Sequence, residues 1–352
     1  MQKLLFLEFG ESHSEVFYSY FKALEGSYEL HLCLNEKLQP HLPKKQFHQS
    51  VTYFSQQGRL KRLQAVWSAL KCIRKIDPDL ILINTAQSKV VRLFCTLYWG
   101  RARLVGIHHN PQALLSSSTQ KLINLRIKKY FVLADFICKN LLEKISTQIS
   151  LQTFYSVYFE TAQEAPPSEP LFVIPGTVEQ DRRDYWGFVD WLAQNKHELR
   201  PDIRFAIVGN SRRGDGPELK ARVQAAGLEN HFIFFDQFVS NEVLFDYLKR
   251  ASGIIGLIHP GLRWFKEYRL YKISGAYNLA YGFQLPLLMH EDFSNEAEFK
   301  DIMVSYNKSN LVEVLNIVSG DRFLREQVRQ AYTQDSRFNF EAQKKAVLDF
   351  LK

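Results

Sequence analysis

The sequence has 352 residues, which is too long for one small core and suggests about two domains. Hydrophobic residues make up 46% of the chain and charged residues 23%, proportions that exclude a largely disordered or fibrous protein. The formal net charge is +8 at pH 7. All of this excess lies in residues 1–170, which contain 21 Lys and Arg against 13 Asp and Glu.

The basic character is strongest between residues 38 and 129, where 16 Lys and Arg stand against only Asp77 and Asp79. Such a segment favours an acidic partner, such as a phosphate, a lipid headgroup or a nucleic acid; the alternative is an ordinary solvated surface. Because the aromatic residues follow core periodicity rather than a basic platform, nucleic-acid binding is the less favoured of these partners.

Cysteine spacing and hydropathy indicate the cellular compartment of the protein. Cys33, Cys72, Cys95 and Cys138 lie far apart without a CxxC pair, so we expect neither a disulfide framework nor a structural zinc site. Met1–Lys3 leads directly into a short apolar strand, which is not typical of a signal peptide. No run approaches the roughly 18–20 apolar residues of a membrane span. We therefore expect a cytoplasmic protein.

The first half of the chain alternates short apolar runs, which predict strands, with amphipathic stretches, which predict helices. This alternation is typical of βαβ units and a parallel sheet. In chain order we expect strand Leu4–Phe9, helix Ser12–Leu24, strands Tyr28–Leu34 and Val51–Phe54, helix Leu60–Ile76, and strands Asp79–Asn84, Leu104–His108 and Tyr130–Ala134.

Thr161–Pro170 holds three prolines and no large apolar residue, and we interpret it as a linker. The alternation then restarts, which predicts a second α/β domain. We expect an N-terminal domain over 1–165, a C-terminal domain over 171–335, and a C-terminal helix at 336–352 that packs back on the first domain. The predicted elements are strand Leu171–Ile174, helix Asp181–Asn195, strand Ile203–Val208, helix Gly216–Ala226, strand Phe232–Phe235, helix Asn241–Arg250, strand Gly253–Ile258, helix Tyr268–Tyr281, strand Leu285–Met289 and a helical tail from Ser309.

Candidate binding residues follow the strands of the first half, because ligands of open parallel sheets bind at the carboxyl ends of the strands. Gly10 comes between a strand and a helix, together with Glu11 and His13, and permits a tight turn near a ligand; a simple turn is the alternative. His108, His109 and Asn110 follow a later strand, where histidine suits general-base work or a hydrogen bond to a sugar hydroxyl. The alternative is one solvated and one packed histidine.

The second half repeats this pattern. Gly176 and Thr177 follow a strand where a backbone can approach a phosphate, and Arg182 and Arg183 open the next predicted helix. Cations at a helix N-terminus oppose the dipole, which favours an anionic partner for one of them. That partner is either a ligand or the neighbouring Asp181 and Asp184. The further candidates are Gly209, Asn210, Glu267, Lys272, Ser274 and Gly275, with a solvated turn and a solvated charged face as alternatives.

The second half resembles the GT-B glycosyltransferases, nearest to the large retaining family 4. The stretches that carry the resemblance are IPGT at 174–177, the charged residues 181–184, AIVGN at 206–210, GPELK at 216–220, FFDQFVSNEVLFDYLKRA at 234–251 and KISGAYNLAYGFQLPLL at 272–288. In the first half only the Gly10 loop and the His108–Asn110 turn match. The resemblance implies two Rossmann-like domains facing across a cleft.

The resemblance also implies a role for each candidate. Gly176 and Thr177 would lie near the diphosphate of a nucleotide-sugar, most simply a UDP- or GDP-sugar, which an arginine of 182–183 and Lys272 would neutralise. Members of the family need no bound metal or cofactor, and we expect none here. The remaining implied roles are Gly209 and Asn210 beside the nucleotide, Ser274 and Gly275 near the phosphate, Glu267 near ribose or the donor sugar, His108 facing the donor sugar or the acceptor, and Gly10, Glu11, His13, His109 and Asn110 on the acceptor side.

One departure from the family pattern concerns the second of two glutamates found eight positions apart in many members. Here Asn278 or Leu279 takes that place, which leaves the usual ribose contact in doubt. Our leading hypothesis is a glycosyltransferase that uses a glycan or lipid-linked glycan acceptor in cell-surface polysaccharide or glycoconjugate synthesis. A non-catalytic GT-B partner subunit and a GT-B sugar-nucleotide epimerase are the alternatives.

Residues 59–75 form a basic amphipathic segment that contains Trp67. Such a helix can lie on an anionic membrane, at the inner face of the membrane for a cytoplasmic enzyme. The alternative is that its apolar face packs on the sheet of the N-terminal domain. The basic residues are Arg59, Lys61, Arg62, Lys71, Arg74 and Lys75, and the apolar ones are Leu60, Leu63, Val66, Trp67, Leu70 and Ile73.

Overall fold

The structure is a computed structural model of the chain, and it describes residues 1–55, 60–160, 169–294 and 297–352. Most of the predicted linker, at 161–168, and Arg59 of the basic segment lie outside the described residues. The chain forms two compact units. The N-terminal unit comprises Met1–Glu160, Leu270–Ile273 and Phe340–Lys352, and the C-terminal unit comprises Thr161–Arg269 and Ser274–Asn339.

The N-terminal unit is built on a parallel β-sheet. Its strands are β1 (Gln2–Glu8), β2 (Tyr28–Asn35), β3 (Ser50–Phe54), β4 (Leu80–Ile83), β5 (Arg103–Ile107), β6 (Lys129–Val132) and β7 (Ser150–Thr153). Within the described residues the strand order is β3-β2-β1-β4-β5-β6-β7, and every neighbouring pair is parallel. Its helices up to Leu142 are α1 (Phe17–Leu24), α2 (Lys61–Ile76), α3 (Lys89–Leu97), α4 (Ala113–Ser116), α5 (Ser118–Ile123) and α6 (Asp135–Leu142).

The C-terminal unit has the same architecture. Its strands are β8 (Leu171–Pro175), β9 (Arg204–Asn210), β10 (Phe232–Phe235), β11 (Gly253–Ile255), β12 (Leu287–His290) and β13 (Met303–Tyr306). Over its described residues the order is β10-β9-β8-β11-β12-β13, and all pairs are parallel. Its helices are α7 (Tyr185–Gln194), α8 (Gly216–Ala225), α9 (Asn241–Arg250), α10 (Phe265–Leu270), α11 (Gly275–Phe283), α12 (Leu311–Gly320) and α13 (Arg322–Gln334).

The last helix, α14 (Phe340–Leu351), returns to the N-terminal unit and packs beside α1. Alternate strand residues of the N-terminal sheet face two helical layers, as the period of two in a strand requires. Leu5 and Ile81 join the core under α2, α3 and α5, whereas Leu4 and Leu80 join the core under α1 and α14. The sheet is therefore covered on both faces, which is typical of a doubly wound fold.

Several predicted element boundaries differ from the structure. The predicted helix Tyr268–Tyr281 is two helices, α10 and α11, because the partly buried Ile273 between them packs against the core of the N-terminal unit. The Asn140 amide also holds this segment, since its Nδ2 donates to the carbonyl of Leu270 at 3.2 Å. The predicted C-terminal domain at 171–335 is therefore interrupted by Leu270–Ile273, a segment of the other unit.

Other elements were not predicted. Strands β7 and β13 and helices α3 to α6 are additional to the elements expected from the pattern. The helix expected at Ser12–Leu24 begins as a 3₁₀ turn at Ser14–Val16, and the preceding residue, His13, has a left-handed backbone with φ of 66°. In the part of the chain that the structure describes, the helices are too short or too polar to cross a membrane.

Candidate functional site

Each sheet reverses its winding direction at one place, and ligands of doubly wound folds bind beside such switch points. In the N-terminal unit the switch point lies between β1 and β4, and in the C-terminal unit it lies between β8 and β11. Two of the predicted glycines lie beside these places. Gly10 follows β1, and Gly176 follows β8. We describe the two clusters separately.

The carboxylate of Glu8 is the centre of the N-terminal cluster. This last residue of β1 is fully buried, and burial raises the pKa of its carboxyl to about 7. Hydrogen bonds oppose this rise: the Thr85 hydroxyl donates to Oε2 at 2.6 Å, and the backbone N–H of Gly10 donates to Oε1. Glu8 therefore ties the loop after β1 to the residues after β4, and its charge is sensitive to pH near neutrality.

The rings of His13 and His109 stack on each other beside Glu8. Their centroids are 3.9 Å apart and their planes differ by 16°. The Asn84 side chain orients both residues, because its Oδ1 lies 2.7 Å from Nε2 of His109 and its Nδ2 donates to the carbonyl of His13 at 3.4 Å. Burial, and then the neighbouring His13 and His108, lower the pKa of His109 well below its usual range. His109 is therefore neutral at physiological pH and a weak base, so its ring suits hydrogen bonding to a ligand better than proton transfer.

His108 was predicted to face a ligand, but its ring is fully buried. Its Nε2 lies 3.2 Å from Oε1 of Gln120, and its Nδ1 accepts from the backbone N–H of Asn110 at 3.3 Å. Burial lowers its pKa to about 3, so the ring is neutral. With both nitrogens engaged, His108 holds the turn after β5 in place, whereas the partly exposed His109 is available to a ligand.

The other two predicted acceptor-side residues have different surroundings. Glu11 is exposed and forms a 2.8 Å ion pair with Lys37. Asn110 is partly buried, and its side-chain Oδ1 is buried without a hydrogen-bond partner in the described residues. Of the predicted set, the structure therefore brings Gly10, His13 and His109 together around Glu8.

Two glycines shape the C-terminal cluster. Gly176 has φ of 105°, a conformation that strongly favours glycine. A β-carbon on Gly209, in the neighbouring strand β9, would lie 2.1 Å from the carbonyl oxygen of Gly176. Only a glycine at position 209 allows this close approach of the two backbones. Gly176 and Thr177 are exposed, so the turn after β8 is open to a ligand.

The guanidinium of Arg183 lies over this turn. Its Nη1 donates to the carbonyl of Thr177 at 3.2 Å, and its Nη2 would be 2.7 Å from a β-carbon on Gly176. Its Nε is buried and has no hydrogen-bond acceptor among the described residues. Arg182, in contrast, is exposed and forms a 3.2 Å ion pair with Glu179. Of the two predicted arginines, Arg183 is the one that lies beside the turn at Gly176 and Thr177.

The arginines do not open a helix as predicted, because Asp184 caps α7 and the helix begins at Tyr185. Asp184 Oδ2 lies 2.8 Å from Nδ1 of His259, and Nε2 of His259 lies 2.8 Å from the Tyr306 hydroxyl. Burial raises the pKa of Asp184, but hydrogen bonds from His259, Gln180 and Gly187 lower it to about 2. This network fixes the end of the 176–184 loop to the carboxyl ends of β11 and β13.

Asn210 and Ser274 have structural hydrogen bonds that explain their residue types. Oδ1 of Asn210 accepts from the backbone N–H of Arg212 at 3.0 Å and turns the chain after β9. Ser274 caps α11, since its hydroxyl accepts from the N–H of Ala276 at 3.3 Å. Gly275 is exposed, and a β-carbon there would meet nothing within 4 Å. The N-terminus of α11 is therefore accessible.

The remaining predicted residues, Glu267 and Lys272, belong to different units. Glu267 lies in the first turn of α10 in the C-terminal unit, whereas Lys272 belongs to the segment that packs with the N-terminal unit. Asn278 and Leu279, at the position of the missing family glutamate, are both buried. The Asn278 amide has no hydrogen-bond partner in the part of the chain that the structure describes.

Sequence reasoning missed Glu8, Asn84, Thr85 and the Asp184–His259–Tyr306 network. For Glu8 a signal was present, because a carboxylate within an apolar strand is costly to bury and requires a reason. Thr85 is a non-glycine residue with φ of 53°, a strained conformation that no sequence pattern shows. Within the described residues, no group of three or more His, Cys, Asp and Glu is arranged to hold a metal ion.

Comparisons with known proteins agree on the architecture. HepE from Anabaena in complex with UDP and glucose is 15% identical, with a TM-score of 0.70 over 100% of this chain and 99% of that chain. A glycosyltransferase from Rickettsia africae is 14% identical, with a TM-score of 0.62 over 100% and 98%. UDP-GlcNAc 2-epimerase from Methanocaldococcus jannaschii is 12% identical, with a TM-score of 0.55 over 92% and 94%.

No family model matches the sequence, and no curated protein sequence matches it significantly. The structural likeness at 12–15% identity shows the fold. With the order of the two parallel sheets, it identifies the architecture as GT-B, two Rossmann-like domains in one chain.

Proposed function

We propose that the protein is a glycosyltransferase that moves a sugar from a UDP- or GDP-sugar to a glycan or lipid-linked glycan acceptor. The observation that carries this proposal is the turn after β8, where Gly176 and Gly209 approach closely and Arg183 lies above them. An exposed turn with a guanidinium beside it suits a diphosphate, which presents several acceptor oxygens. The complexes of HepE with UDP and with UDP-glucose support the same ligand class.

The leaving diphosphate requires stabilisation as the glycosidic bond to it breaks. We assign this role to Arg183 and the backbone N–H groups near Gly176, with the N-terminus of α11 at Ser274 and Gly275 as a second donor-binding element. Lys272, two residues before Ser274, remains a candidate for the same phosphate. Such cationic and dipolar groups supply the charge that a metal ion would otherwise provide, and we propose a metal-independent reaction. Retention of the anomeric configuration rests on the resemblance to family 4.

The N-terminal cluster suits an acceptor hydroxyl. His109 is neutral, partly exposed and oriented by Asn84, so its ring can form a hydrogen bond to a sugar hydroxyl. We assign this role to His109 and the stacked His13 rather than to the buried His108. Glu8 holds the Gly10 loop and Thr85, and it is a positioning residue. Glu267 remains our candidate for the ribose or donor-sugar contact.

A nucleotide screen tests the proposal. We expect millimolar UDP or GDP to raise the Tm of the C-terminal unit, and one of the corresponding nucleotide-sugars to do the same. When the nucleotide-sugar carries a labelled sugar and a membrane extract supplies the acceptor, we expect the label to appear in a lipid-linked or polymeric glycan. The proposal is wrong if none of the nucleotides UDP, GDP, CMP and dTDP changes the Tm and no sugar is transferred.

An epimerase is a second candidate, because the M. jannaschii UDP-GlcNAc 2-epimerase shares the fold and Glu8 is a carboxylate with a pKa near neutrality. An epimerase exchanges a carbon-bound proton of its substrate with solvent and needs no acceptor. Deuterium incorporation from D₂O into UDP-sugars in the absence of acceptor would favour it over a transferase. A non-catalytic partner subunit would show neither nucleotide binding nor turnover.

A further inference from the structure

One helical layer of the N-terminal unit exposes several large apolar side chains on its outer surface. Helices α2, α3 and α5 cover the same face of the sheet, and their inner residues pack in one core. On α2 the side chains at Ala65, Val66, Ala69, Cys72 and Ile73 are buried in this core. A stripe at helical spacing on the other side of α2 remains exposed and consists of Leu60, Leu63, Trp67, Lys71 and Arg74.

The neighbouring helices extend this stripe. Trp99, just after α3, is 83% exposed, and Leu125, just after α5, is 70% exposed. The guanidinium of Arg126 lies 5.3 Å from the ring centroid of Trp99 and donates to the carbonyl of Tyr98 at 2.8 Å, so it joins these two segments. We call the set the α2–α3–α5 face. Its exposed apolar members are Leu60, Leu63, Trp67, Leu97, Trp99, Leu122 and Leu125.

The face is also strongly basic. From Leu60 to Lys129 the sequence holds thirteen Lys and Arg but only two acidic residues, Asp77 and Asp79. Arg103 and Lys129 donate to the carbonyls of Lys352 and Phe350 on the α14 side. The exposed bases that α2 itself contributes are Lys61, Arg62, Lys71, Arg74 and Lys75. Cations lie directly over its aromatic rings: Lys71 and Arg74 are both 5.9 Å from the ring centroid of Trp67. Tryptophans and leucines surrounded by Lys and Arg are the combination that enters the headgroup region of an anionic bilayer.

We propose that the α2–α3–α5 face docks on the surface of an anionic lipid bilayer. Trp67, Trp99 and Leu125 would enter the boundary between headgroups and acyl chains, while the surrounding Lys and Arg would bind lipid phosphates. Charge complementarity selects this occupant, because five exposed bases on α2 and Arg126 beside Trp99 surround the apolar side chains, and an apolar patch for a protein partner would not require these charges. The proposal concerns a surface remote in sequence from Gly176 and Arg183, and it does not depend on the proposed transferase activity.

Vesicle flotation of the full chain tests the docking. We expect binding to phosphatidylcholine vesicles with about 30% phosphatidylglycerol and weak binding to pure phosphatidylcholine. The Lys71→Glu/Arg74→Glu double variant should weaken binding to the anionic vesicles about tenfold or more. The matched control is Lys344→Glu/Lys345→Glu on α14, which covers the opposite face of the sheet and should bind as the unchanged protein does.

Tryptophan fluorescence tests the orientation. Brominated lipids in anionic vesicles should quench the fluorescence of the unchanged protein, whereas the Trp67→Phe/Trp99→Phe variant should show little quenching. The three remaining tryptophans all lie in the C-terminal unit. Trp99→Ser should lower the affinity for vesicles about tenfold. An unchanged thermal melt for each variant would show that folding is intact.

Several results would overturn the proposal. These are the absence of vesicle binding by the unchanged protein, equal loss of binding in the α14 control, or equal quenching in the Trp→Phe variant. Tight binding of a single-stranded DNA, lost in Lys71→Glu/Arg74→Glu without any vesicle binding, would assign the face to nucleic acid instead. A dimer that Trp99→Ser converts to a monomer would assign it to a second copy of the chain.

Discussion

A β-carbon on Gly209 would lie only 2.1 Å from the carbonyl oxygen of Gly176, so two neighbouring strands meet where no side chain fits. Gly209→Ala must therefore displace the Gly176 turn, which also requires glycine for its φ of 105°. We expect the dissociation constant for UDP or GDP to rise about tenfold or more. Isothermal titration calorimetry measures this change.

A second glycine at a strand end provides the control. Gly256 follows β11 in the same sheet, and a β-carbon there would be 3.8 Å from its nearest neighbours, an ordinary contact. Gly256→Ala should therefore keep its nucleotide affinity within about threefold. Equal affinities in Gly209→Ala and Gly256→Ala would contradict a phosphate site at the Gly176 turn.

The two adjacent arginines should differ strongly in nucleotide binding. Arg183 lies on the Gly176 turn, whereas Arg182 is exposed and paired with Glu179. Arg183→Ala should weaken UDP or GDP binding by about 2 kcal/mol, or about thirtyfold, because it removes charge-assisted hydrogen bonds to phosphate. Arg182→Ala should change the binding free energy by less than about 0.5 kcal/mol. Calorimetric titrations that gave equal losses for both would refute the assignment.

Much of the fold was predictable because apolar runs and amphipathic stretches alternate clearly. Phe232–Phe235 and Asn241–Arg250 agree with the predicted bounds, since a compact apolar run and a serine cap define them locally. The break before α11 could not be predicted in the same way. It arises because Ile273 packs against the core of the N-terminal unit, most of which is more than 100 residues away in sequence.

The candidate site was predictable only where it depended on a local turn. Gly176 and Gly10 follow strands, and a glycine at a strand end is visible in the sequence. The contact between Asn84 and His109, in contrast, joins residues 25 positions apart. It depends on β4 and β5 being neighbours in the sheet. Whether His108 or His109 is the buried ring depends on the direction of the chain at the end of β5. The adjacent positions of the two residues in the sequence do not show this direction.

Glu8 should make stability depend on pH near neutrality. Its pKa is about 7 in the folded chain against 4.5 for the free side chain, so the unfolded state releases the proton first. The contribution of Glu8 to the free energy of unfolding is fully present below pH 4.5 and is lost as the pH rises through 7. This loss lowers the free energy of unfolding by about 3 kcal/mol. The free energy of unfolding of Glu8→Gln, relative to that of the unchanged protein, should therefore increase as the pH rises from about 5 to about 8.

Urea denaturation at each pH gives the free energies of unfolding for this test. Glu11→Gln is the control, since Glu11 is exposed and its ion pair with Lys37 lies at the surface. It should follow the pH profile of the unchanged protein within about 0.5 kcal/mol. Parallel profiles for Glu8→Gln and the unchanged protein would show that Glu8 does not titrate near neutrality.

Asp184 has the opposite pH dependence. Its pKa is about 2 against 3.8 for the free side chain, so the stability it contributes is present above pH 3.8 and is lost as the pH falls through 2. Asp184→Asn should lower the free energy of unfolding at pH 7 by about 2 kcal/mol, with a smaller difference near pH 2.5. Asp181→Asn, at an exposed residue 3.9 Å from Arg263, should cost less than about 0.5 kcal/mol. Equal losses in the two variants would exclude a structural role for the His259 pair.

The adjacent histidines should separate turnover from stability. His109 is partly exposed, neutral and oriented by Asn84, so His109→Ala should lower kcat about 100-fold with little change in Tm. His108 is buried with both nitrogens engaged. His108→Ala should therefore lower the free energy of unfolding by about 3 kcal/mol, because Gln120 and the Asn110 N–H lose their partner and a cavity remains.

Measurements of kcat, Tm and UDP affinity on the same preparations distinguish the two effects. Both variants should bind UDP as the unchanged protein does, since the Gly176 turn lies in the other unit. His109→Gln should recover more turnover than His109→Ala, because an amide can still form a hydrogen bond with Asn84 and a sugar hydroxyl. Full turnover in His109→Ala, or lost turnover at an unchanged Tm in His108→Ala, would reverse the assignment and make His108 the residue that meets the substrate.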